Sequence, residues 1–472
     1  MRKILIISFC IFASYSFSQK NAYTIKFKVK GLKDTIAYLA NYYGAKQYIQ
    51  DTAKVDALGN VVFEGKEKLP GGMYIFYCPA QKGKSFDFIV ADDQNITIET
   101  DTTDYMKFLK IKGSPESQYW LDYMNFIKKE EEKITPLKDQ YKAVDSKSGE
   151  AKTIKDKMSL IDKEVIDYKL SFIKKYPNSL VSNIFGAMEE PIVPEAEKKA
   201  SNDSLFDFKY FKQHYFDKLN FNDERLIRTP LFHKKIDFYM TKLTSQHPDS
   251  IMVAADYIVS KSRINKEVFK YVVWYFTTTY ETSPIMGYDA IFVHLVEKYY
   301  DAKQAFWMDS AKLVKINDRA NTLRPLLLGK KAPDLIMQDS AGKFVTLYSV
   351  QGEYTVVFFW DSDCGHCKKE LPKVKELFDK YFALGVDLKV YSVCTELEKN
   401  DWKKLVKETN PSWINLLDPF GERKKYDITS TPIIYLLDKD KKIIAKKLSA
   451  EQLDELFKHE MDSKKEKTPN KK

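Results

Sequence analysis

The most constraining feature of the sequence is a pair of cysteines that directly follows a run of apolar residues. The run, Tyr354–Trp360, is typical of a β-strand buried on both faces of a sheet. Cys364 and Cys367 follow it, and the chain from Cys364 to Phe382 has helical character. This order puts Cys364 at a helix N-terminus, where backbone N–H groups and the positive helix end stabilise a thiolate. We therefore predict Cys364 as a nucleophile and Cys367 as the thiol that resolves its mixed disulfides.

Two other roles for this cysteine pair are a zinc half-site and an inert structural disulfide. Zinc needs a second pair of ligands, but Cys78 and Cys394 are isolated from one another and from paired histidines. A disulfide across two residues closes a very small loop and stabilises little. We therefore predict redox chemistry, with no metal and no cofactor, and we interpret Cys394 as a buried thiol.

The length and composition indicate several globular domains. A chain of 472 residues predicts about three folded units. The content of 44% hydrophobic and 30% charged residues excludes collagen, a coiled-coil rod and wholesale disorder. The net charge is +10, but residues 1–18 contribute +2 and residues 463–472 contribute +4, which leaves +4 for the body. So small an excess argues against nucleic-acid binding.

The N-terminus resembles a secretory signal. Arg2 and Lys3 precede an apolar stretch, Ile4–Phe17, and small residues suit cleavage after Ser18. A membrane anchor is a weaker alternative because this stretch is short of the roughly 20 residues that a span needs. Lipidation at Cys10 is disfavoured by the bulky Phe9 before it. We expect an exported, periplasmic protein without a transmembrane segment, in which disulfides can persist.

Changes in periodicity divide the chain into domains. We predict a signal peptide at 1–18, an all-β sandwich at 19–113, an all-α domain at 114–326, an α/β domain at 327–462 and a flexible Lys-rich tail at 463–472. The sandwich is indicated by short alternating runs separated by turn residues. A stripe on one helix face marks the α domain and comprises Ile154, Met158, Ile161, Val165, Tyr168 and Phe172.

Strands and helices alternate in the last domain, which predicts an α/β fold. The strands expected after the cysteine pair are Leu388–Val393, Pro432–Leu437 and Ile443–Lys447, with helices near Asp401–Glu408 and over Ala450–Met461.

These motifs together resemble the thioredoxin superfamily, and specifically the exported bacterial thiol:disulfide oxidoreductases of the TlpA/ResA type in the AhpC/TSA grouping. The matching features are the lead-in Gly329–Asp334, the Phe-Phe-Trp before the site, Cys-Gly-His-Cys, the Lys-Lys-Glu-Leu-Pro after it and Ser430-Thr431-Pro432. The resemblance covers less than a third of the chain and implies a C-terminal thioredoxin-like fold. The preceding domains are more loosely similar to regions that precede such domains in other exported bacterial proteins.

The resemblance also implies roles for individual residues. Pro432 would follow a cis peptide bond beside the cysteines, and Thr431 would present its backbone to an extended substrate. Trp360 and Gly365 would likewise contact the substrate. Glu370 would tune proton transfer, although it could instead be an ordinary acid in the first helical turns. The buried aspartate of ordinary thioredoxins would fall at Phe358, so that proton relay is missing.

The dipeptide between the cysteines, Gly365-His366, is also found in protein disulfide isomerases. A cationic His366 imidazole near Cys364 would stabilise the thiolate and favour a more oxidising or isomerising poise. The direction of electron flow depends on the partner and stays open.

Two rival functions share some of these features. A peroxiredoxin has the same fold, but it needs Thr or Ser where this chain has Asp361 and Pro where it has Val357. The N-terminal domains could alternatively make this an envelope binding or adaptor protein with an accessory thioredoxin-like domain. We favour an enzyme whose partners are exported protein thiols or disulfides and an unidentified redox protein, which could be membrane-bound.

Overall fold

The computed structural model describes residues 21–395, 402 and 412–466. They form two compact units, one of residues up to 244 with 261–269, and the other of 245–260 with 270 onwards. The predicted signal peptide at 1–18 lies outside the described residues, as does the predicted helix at 401–408 apart from Trp402, which is helical. The three architectural classes expected from the sequence are confirmed: β-sheets, then helices, then a mixed C-terminal domain.

The first unit begins with two four-stranded sheets that enclose one core. One sheet has the order β4-β1-β7-β8 and the other β3-β2-β5-β6. The strands are β1 (Tyr23–Lys30), β2 (Thr35–Tyr43), β3 (Lys46–Val55), β4 (Asn60–Gly65), β5 (Gly72–Tyr77), β6 (Ser85–Val90), β7 (Asn95–Asp101) and β8 (Lys110–Lys112). In β1 the apolar residues are buried and alternate with exposed lysines, which is why one face of this strand packs inward.

Strand β3 is absent from the pattern-based prediction. It pairs only with β2 and lies at the edge of its sheet, and most of its residues are exposed. An edge strand with little buried surface does not need alternating apolar residues, so periodicity gives no signal for it.

The opposite edge of this sheet is covered by a helix. The Ser117 hydroxyl of α1 (Pro115–Ala143) accepts a hydrogen bond from the Ile89 N–H at 2.8 Å and donates one to the Ile89 carbonyl at 2.6 Å. The side chain thus satisfies both backbone groups of one residue on β6, as a neighbouring strand would do.

Helices fill most of the chain between the sandwich and the last domain. They are α1, α2 (Gly149–Lys175), α3 (Leu180–Met188), α4 (Glu195–Ala200), α5 (Phe206–His214), α6 (Pro230–Lys242), α7 (Pro248–Ser262), α8 (Lys266–Glu281), α9 (Asp289–Tyr299) and α10 (Ser310–Leu323). The stripe predicted from Ile154 to Phe172 lies on α2, where it is buried at Ile154 and half-buried beyond it. No helix among the described residues is long and apolar enough to cross a membrane.

The second unit contains a seven-stranded mixed sheet of order β10-β9-β13-β12-β11-β14-β15. Its elements are β9 (Ile336–Asp339), β10 (Phe344–Thr346), β11 (Tyr354–Trp360), α11 (Gly365–Ala383), β12 (Leu388–Cys394), β13 (Ile414–Leu417), β14 (Ile433–Asp438), β15 (Ile443–Leu448) and α12 (Ala450–Glu466). Every residue of β11 is buried, and separate apolar clusters cover the two faces of the sheet. The continuous apolar run thus forms the predicted two-sided strand.

Helix α12 extends beyond the predicted end at Met461 and into the segment predicted as a flexible tail. Lys464, Lys465 and Glu466 are good helix formers, and the first strong helix breaker is Pro469. A Lys-rich composition does not by itself end a helix.

The boundary between the compact units falls inside the segment predicted as one helical domain, 114–326. Residues 270–326 belong to the same unit as the seven-stranded sheet. Two ion pairs join this helical segment to the part of the unit that contains the sheet. The buried Lys446 of β15 pairs with Asp289 of α9, and Arg319 of α10 pairs with the buried Asp427.

Replacing Phe27 by alanine should destabilise the sandwich by about 3–5 kcal/mol, because a large buried ring is lost from a close-packed site. The Phe27 ring lies 4.5–6.2 Å from the rings of four other phenylalanines. Hydrogen exchange of the β1 amides measures the change locally. The matched control is V62A on the exposed face of the neighbouring β4, and an equal effect of both substitutions would contradict this description of the core.

Candidate active site

The site is built where β11 ends and α11 begins. The last residue of β11, Trp360, is 1% exposed, and its indole N–H donates to the Ser392 hydroxyl of β12 at 2.8 Å. A short turn follows, in which the Asp361 carboxylate accepts the Asp363 N–H at 2.9 Å. Cys364 is then the N-cap residue of α11, with extended backbone dihedrals. A rigid strand end thus fixes where the helix starts.

The Cys364 sulfur is half-exposed and accepts hydrogen bonds from the start of the helix. The Cys367 N–H donates to it at 3.3 Å. The pKa of Cys364 is lowered from the ordinary value, first by a hydrogen bond from the Cys367 thiol and then by the backbone N–H groups of Cys367 and His366. These donors stabilise the thiolate, which is the nucleophilic form of cysteine.

The Cys367 sulfur has the opposite environment. Its side chain is fully buried, and burial followed by the hydrogen bond to Cys364 raises the pKa of Cys367 to about 11. The Asp361 N–H donates to this sulfur at 3.4 Å. Both cysteines are present as thiols. Cys364 therefore ionises at a lower pH than Cys367, although the two residues are only one helical turn apart.

The loop before β14 completes the site. The Thr431–Pro432 peptide bond is cis, as the family resemblance implies. The Cys364 thiol lies 3.5 Å from the Thr431 carbonyl oxygen, to which it donates. Thr431 and Pro432 are half-buried, so part of this loop is open to solvent. The backbone of Thr431 is thus within reach of a chain bound at the reactive sulfur.

A groove of about 640 Å³ opens beside this loop. His366, Glu370 and Pro432 line it, together with residues of β15 and the start of α12. Lys373 lies 3.5 Å from the Glu370 carboxylate and Lys447 lies 3.8 Å from that of Asp427, and Lys369 also lines the groove. The groove is mostly polar and lies between the reactive helix and the cis-proline loop.

Glu370 has a structural contact in addition to its place in the groove. Its carboxylate accepts the N–H of Ala450, the first residue of α12. The other carboxylate oxygen lies 3.5 Å from the Lys373 ammonium, and the side chain is 13% exposed. Glu370 therefore caps the N-terminus of another helix, where a negative charge is favourable.

Some of the remaining predicted site residues are exposed and others are buried. Gly365 and His366 are the first residues of α11 and are exposed. Trp360 lies beneath the site, in the core between β11 and α11, and is too buried to contact a substrate. The resemblance implied a substrate contact for Trp360. The structure differs because the Trp360 side chain points into the apolar core between the sheet and α11. Phe358, at the position of the thioredoxin aspartate, is also buried there.

The two other cysteines lie in apolar surroundings. Cys394 ends β12 beside Trp360 and is fully buried in the same cluster as Cys367. Cys78 belongs to the sandwich core, where its thiol donates to the Ile36 carbonyl at 3.4 Å.

Some residues of the site carry no motif in the sequence. Asp361 contributes a backbone N–H to Cys367, and Asp427 lines the groove while its carboxylate pairs with Arg319. Arg319 is 108 residues away in the sequence and belongs to α10. No short-range pattern could have connected it with the site.

Comparison with known proteins agrees with this geometry. A sequence model of the AhpC/TSA family matches residues 328–446. Two families described as domains of unknown function match earlier parts of the chain, DUF4369 over residues 23–120 and DUF5106 over residues 146–325.

Individual relatives match part of the chain. Thiol-disulfide oxidoreductase ResA of Bacillus thuringiensis subsp. konkukian is 31% identical over 137 residues, which cover 28% of this chain and 77% of the relative. Sporulation thiol-disulfide oxidoreductase A of Bacillus subtilis is 33% identical over 110 residues, 22% of this chain and 67% of that protein. A solved domain of a possible thiol-disulfide isomerase from Cytophaga hutchinsonii is 41% identical, with a TM-score of 0.28, and the match covers 30% of this chain and 97% of that one.

The identity and the coverage of the ResA relative, together with the AhpC/TSA match, show the family. The chain belongs to the ResA-type thiol-disulfide oxidoreductases of the thioredoxin superfamily.

Proposed function

We propose that this protein exchanges thiols and disulfides with exported polypeptides through the pair Cys364 and Cys367. The observation that carries the proposal is the asymmetry of the two sulfurs. Cys364 is half-exposed with a lowered pKa, whereas Cys367 is buried with a raised one. Thiol-disulfide exchange needs one thiolate that reaches the partner and a second thiol protected from it.

In the reducing direction, the Cys364 thiolate attacks one sulfur of a substrate disulfide. A mixed disulfide forms between Cys364 and that sulfur, and the other substrate sulfur leaves as a thiolate and takes up a proton. Cys367 then loses its proton and attacks the Cys364 sulfur. This step releases the second substrate thiol and leaves a Cys364–Cys367 disulfide, so two electrons pass to the substrate. The oxidising direction reverses these steps.

Three neighbouring residues would assist the exchange. The Thr431 backbone and Pro432 would hold an extended substrate beside Cys364, because the Thr431 carbonyl lies at the reactive sulfur and Pro432 lines the groove. The exposed His366 would add positive charge near the thiolate when it is protonated. Gly365 leaves the first turn of the helix open, since nothing beyond its chain neighbours and the backbone of its own helix lies within 4 Å of where a side chain would begin.

Glu370 would accept the proton that Cys367 must lose. A buried thiol with a pKa of about 11 is almost fully protonated at neutral pH and needs a base to attack. Glu370 is three residues after Cys367 on α11, and residues at this spacing share one helix face.

The location and partners rest on the sequence. The apolar leader at 1–18 supports export to the periplasm, where substrate disulfides persist. A second redox protein would restore the Cys364–Cys367 pair after each turnover, and it sets the direction of electron flow.

The two cysteines should differ in the pH dependence of alkylation. In the reduced protein, iodoacetamide should modify Cys364 with a midpoint below the ordinary cysteine value of 9.0, because its lowered pKa leaves more thiolate at a given pH. Cys367 should react only as the pH approaches about 11. Peptide mapping by mass spectrometry measures both, with C364S and C367S as controls for assignment. Equal midpoints would contradict the assigned roles.

Single substitutions should separate the two steps. C364A should abolish insulin reduction and the reactivation of scrambled ribonuclease, because no accessible nucleophile remains. C367A should form mixed disulfides that it cannot resolve, so that substrates are captured covalently and can be identified by mass spectrometry. Wild-type failure in both assays would contradict the proposed activity. A C364A/C367A variant that keeps its biological effect would favour the adaptor function.

Substitution of Glu370 should distinguish proton transfer from helix capping. E370Q keeps an oxygen that can accept the Ala450 N–H but cannot take a proton, so mixed-disulfide resolution should slow at least about tenfold with little loss of stability. E370A should also lower stability by about 1 kcal/mol, because the cap is lost. Rapid-quench measurement of the mixed disulfide and urea unfolding test the two effects. If E370Q resolves the mixed disulfide at the wild-type rate, Glu370 only caps the helix and does not transfer the proton.

A further inference from the structure

A second cavity of about 440 Å³ lies at the β15 edge of the seven-stranded sheet. Residues of the helical segment 280–326 form one side of it, and Tyr435, Leu448 and Gln452 line the other. All of these residues belong to the same compact unit. The helical segment therefore adds a wall beside the thioredoxin-like sheet.

Buried polar contacts fix this wall to the sheet. The Lys446 ammonium is almost fully buried, where it pairs with Asp289 and donates to the Leu326 carbonyl. The Lys446 backbone N–H also donates to the Met286 sulfur at 3.3 Å. A buried ammonium is strongly destabilised if it loses its partners, so these contacts hold the segment in place.

The cavity continues the groove of the exchange site. Lys447, Leu448 and Gln452 line both spaces. Leu448 pairs with Ile434, which is two residues after the cis proline Pro432. Pro432 and Leu448 are therefore separated by two residues along β14 and one step across to β15, which corresponds to roughly 8 Å. Two or three residues of an extended chain span this distance.

The surface offered at this point is apolar. Ile285 is 53% exposed and Met286 is 39% exposed, and both line the cavity beside Pro284 and Leu448. Large apolar side chains left in solvent next to a polar groove mark a contact surface. Methionine in particular adapts to different partners.

We propose that a polypeptide substrate held at Cys364 extends into this cavity and places an apolar side chain against Ile285 and Met286. The side chain would belong to a residue two to four positions from the reacting cysteine. The inference rests on the proposed exchange activity and specifies its substrate class. It gives the helical segment a role in choosing substrates.

The test uses the full mature chain and a set of 12-residue peptides. Each peptide has one central cysteine joined to thionitrobenzoate, and leucine or serine stands two, three or four residues to either side. Release of thionitrobenzoate by the reduced protein reports the exchange. We expect KM to be at least about fivefold lower for the best leucine peptide than for its serine counterpart, a ratio typical of one apolar contact. Free 5,5′-dithiobis(2-nitrobenzoate) has no peptide side chain to place in the cavity and serves as the reference substrate.

The variant I285D should remove the preference for leucine and leave exchange with the small reagent unchanged. V314D is the matched control, because Val314 is 59% exposed on α10 and does not line either space. Lack of a leucine preference in the wild type, or its persistence in I285D, would overturn the inference. Failure of the wild type to react even with the small reagent would instead contradict the exchange activity, and the inference would fall with it.

Discussion

The hydrogen bonds from the first turn of α11 to the Cys364 sulfur are the interaction on which the site depends. These hydrogen bonds require Cys364 to be the N-cap residue of α11, and the fully buried strand β11 determines where Cys364 lies. The same placement puts Cys367 one turn deeper, where burial dominates its ionisation. A single strand-to-helix junction thus produces two thiols of different character.

Carboxylates that cap helices from a distance recur in this protein. Glu116 of α1 accepts the backbone N–H groups of Leu180 and Val181 at the start of α3. Glu370 of α11 does the same for Ala450 at the start of α12. In each case one side chain accepts backbone N–H groups at a helix start and joins two helices of the same unit. At Glu370 this structural contact coexists with a position on the groove, so one residue combines a helix cap with a place at the proposed exchange site.

Local features of this fold could be predicted from the sequence, and contacts between distant elements could not. The apolar run Tyr354–Trp360 and the cysteines after it predict a buried strand and a helix start because both signals are adjacent in the chain. The family resemblance implied a substrate contact for Trp360, but a matching motif does not reveal which way a side chain points. Strand β3 gave no periodic signal because an edge strand buries little.

The contacts that attach the helical segment to the sheet could not be predicted from the sequence either. Lys446 and Asp289 are 157 residues apart, and each is an ordinary charged residue in its own stretch of sequence. Only the folded chain reveals that they form an ion pair. The helical periodicity suggested a separate helical domain, whereas tertiary contacts assign residues 270–326 to the unit that contains the sheet.

In the proposed exchange, the burial of Cys367 would also set a time scale. While its sulfur is desolvated and protonated, a substrate joined to Cys364 would stay attached, because the escape step has to wait for that proton to leave. A long-lived covalent complex would give a bound polypeptide time to rearrange and to attack its own linkage with another of its thiols. The depth of one sulfur atom would thereby shift the balance between simple reduction and the reshuffling of incorrectly paired disulfides.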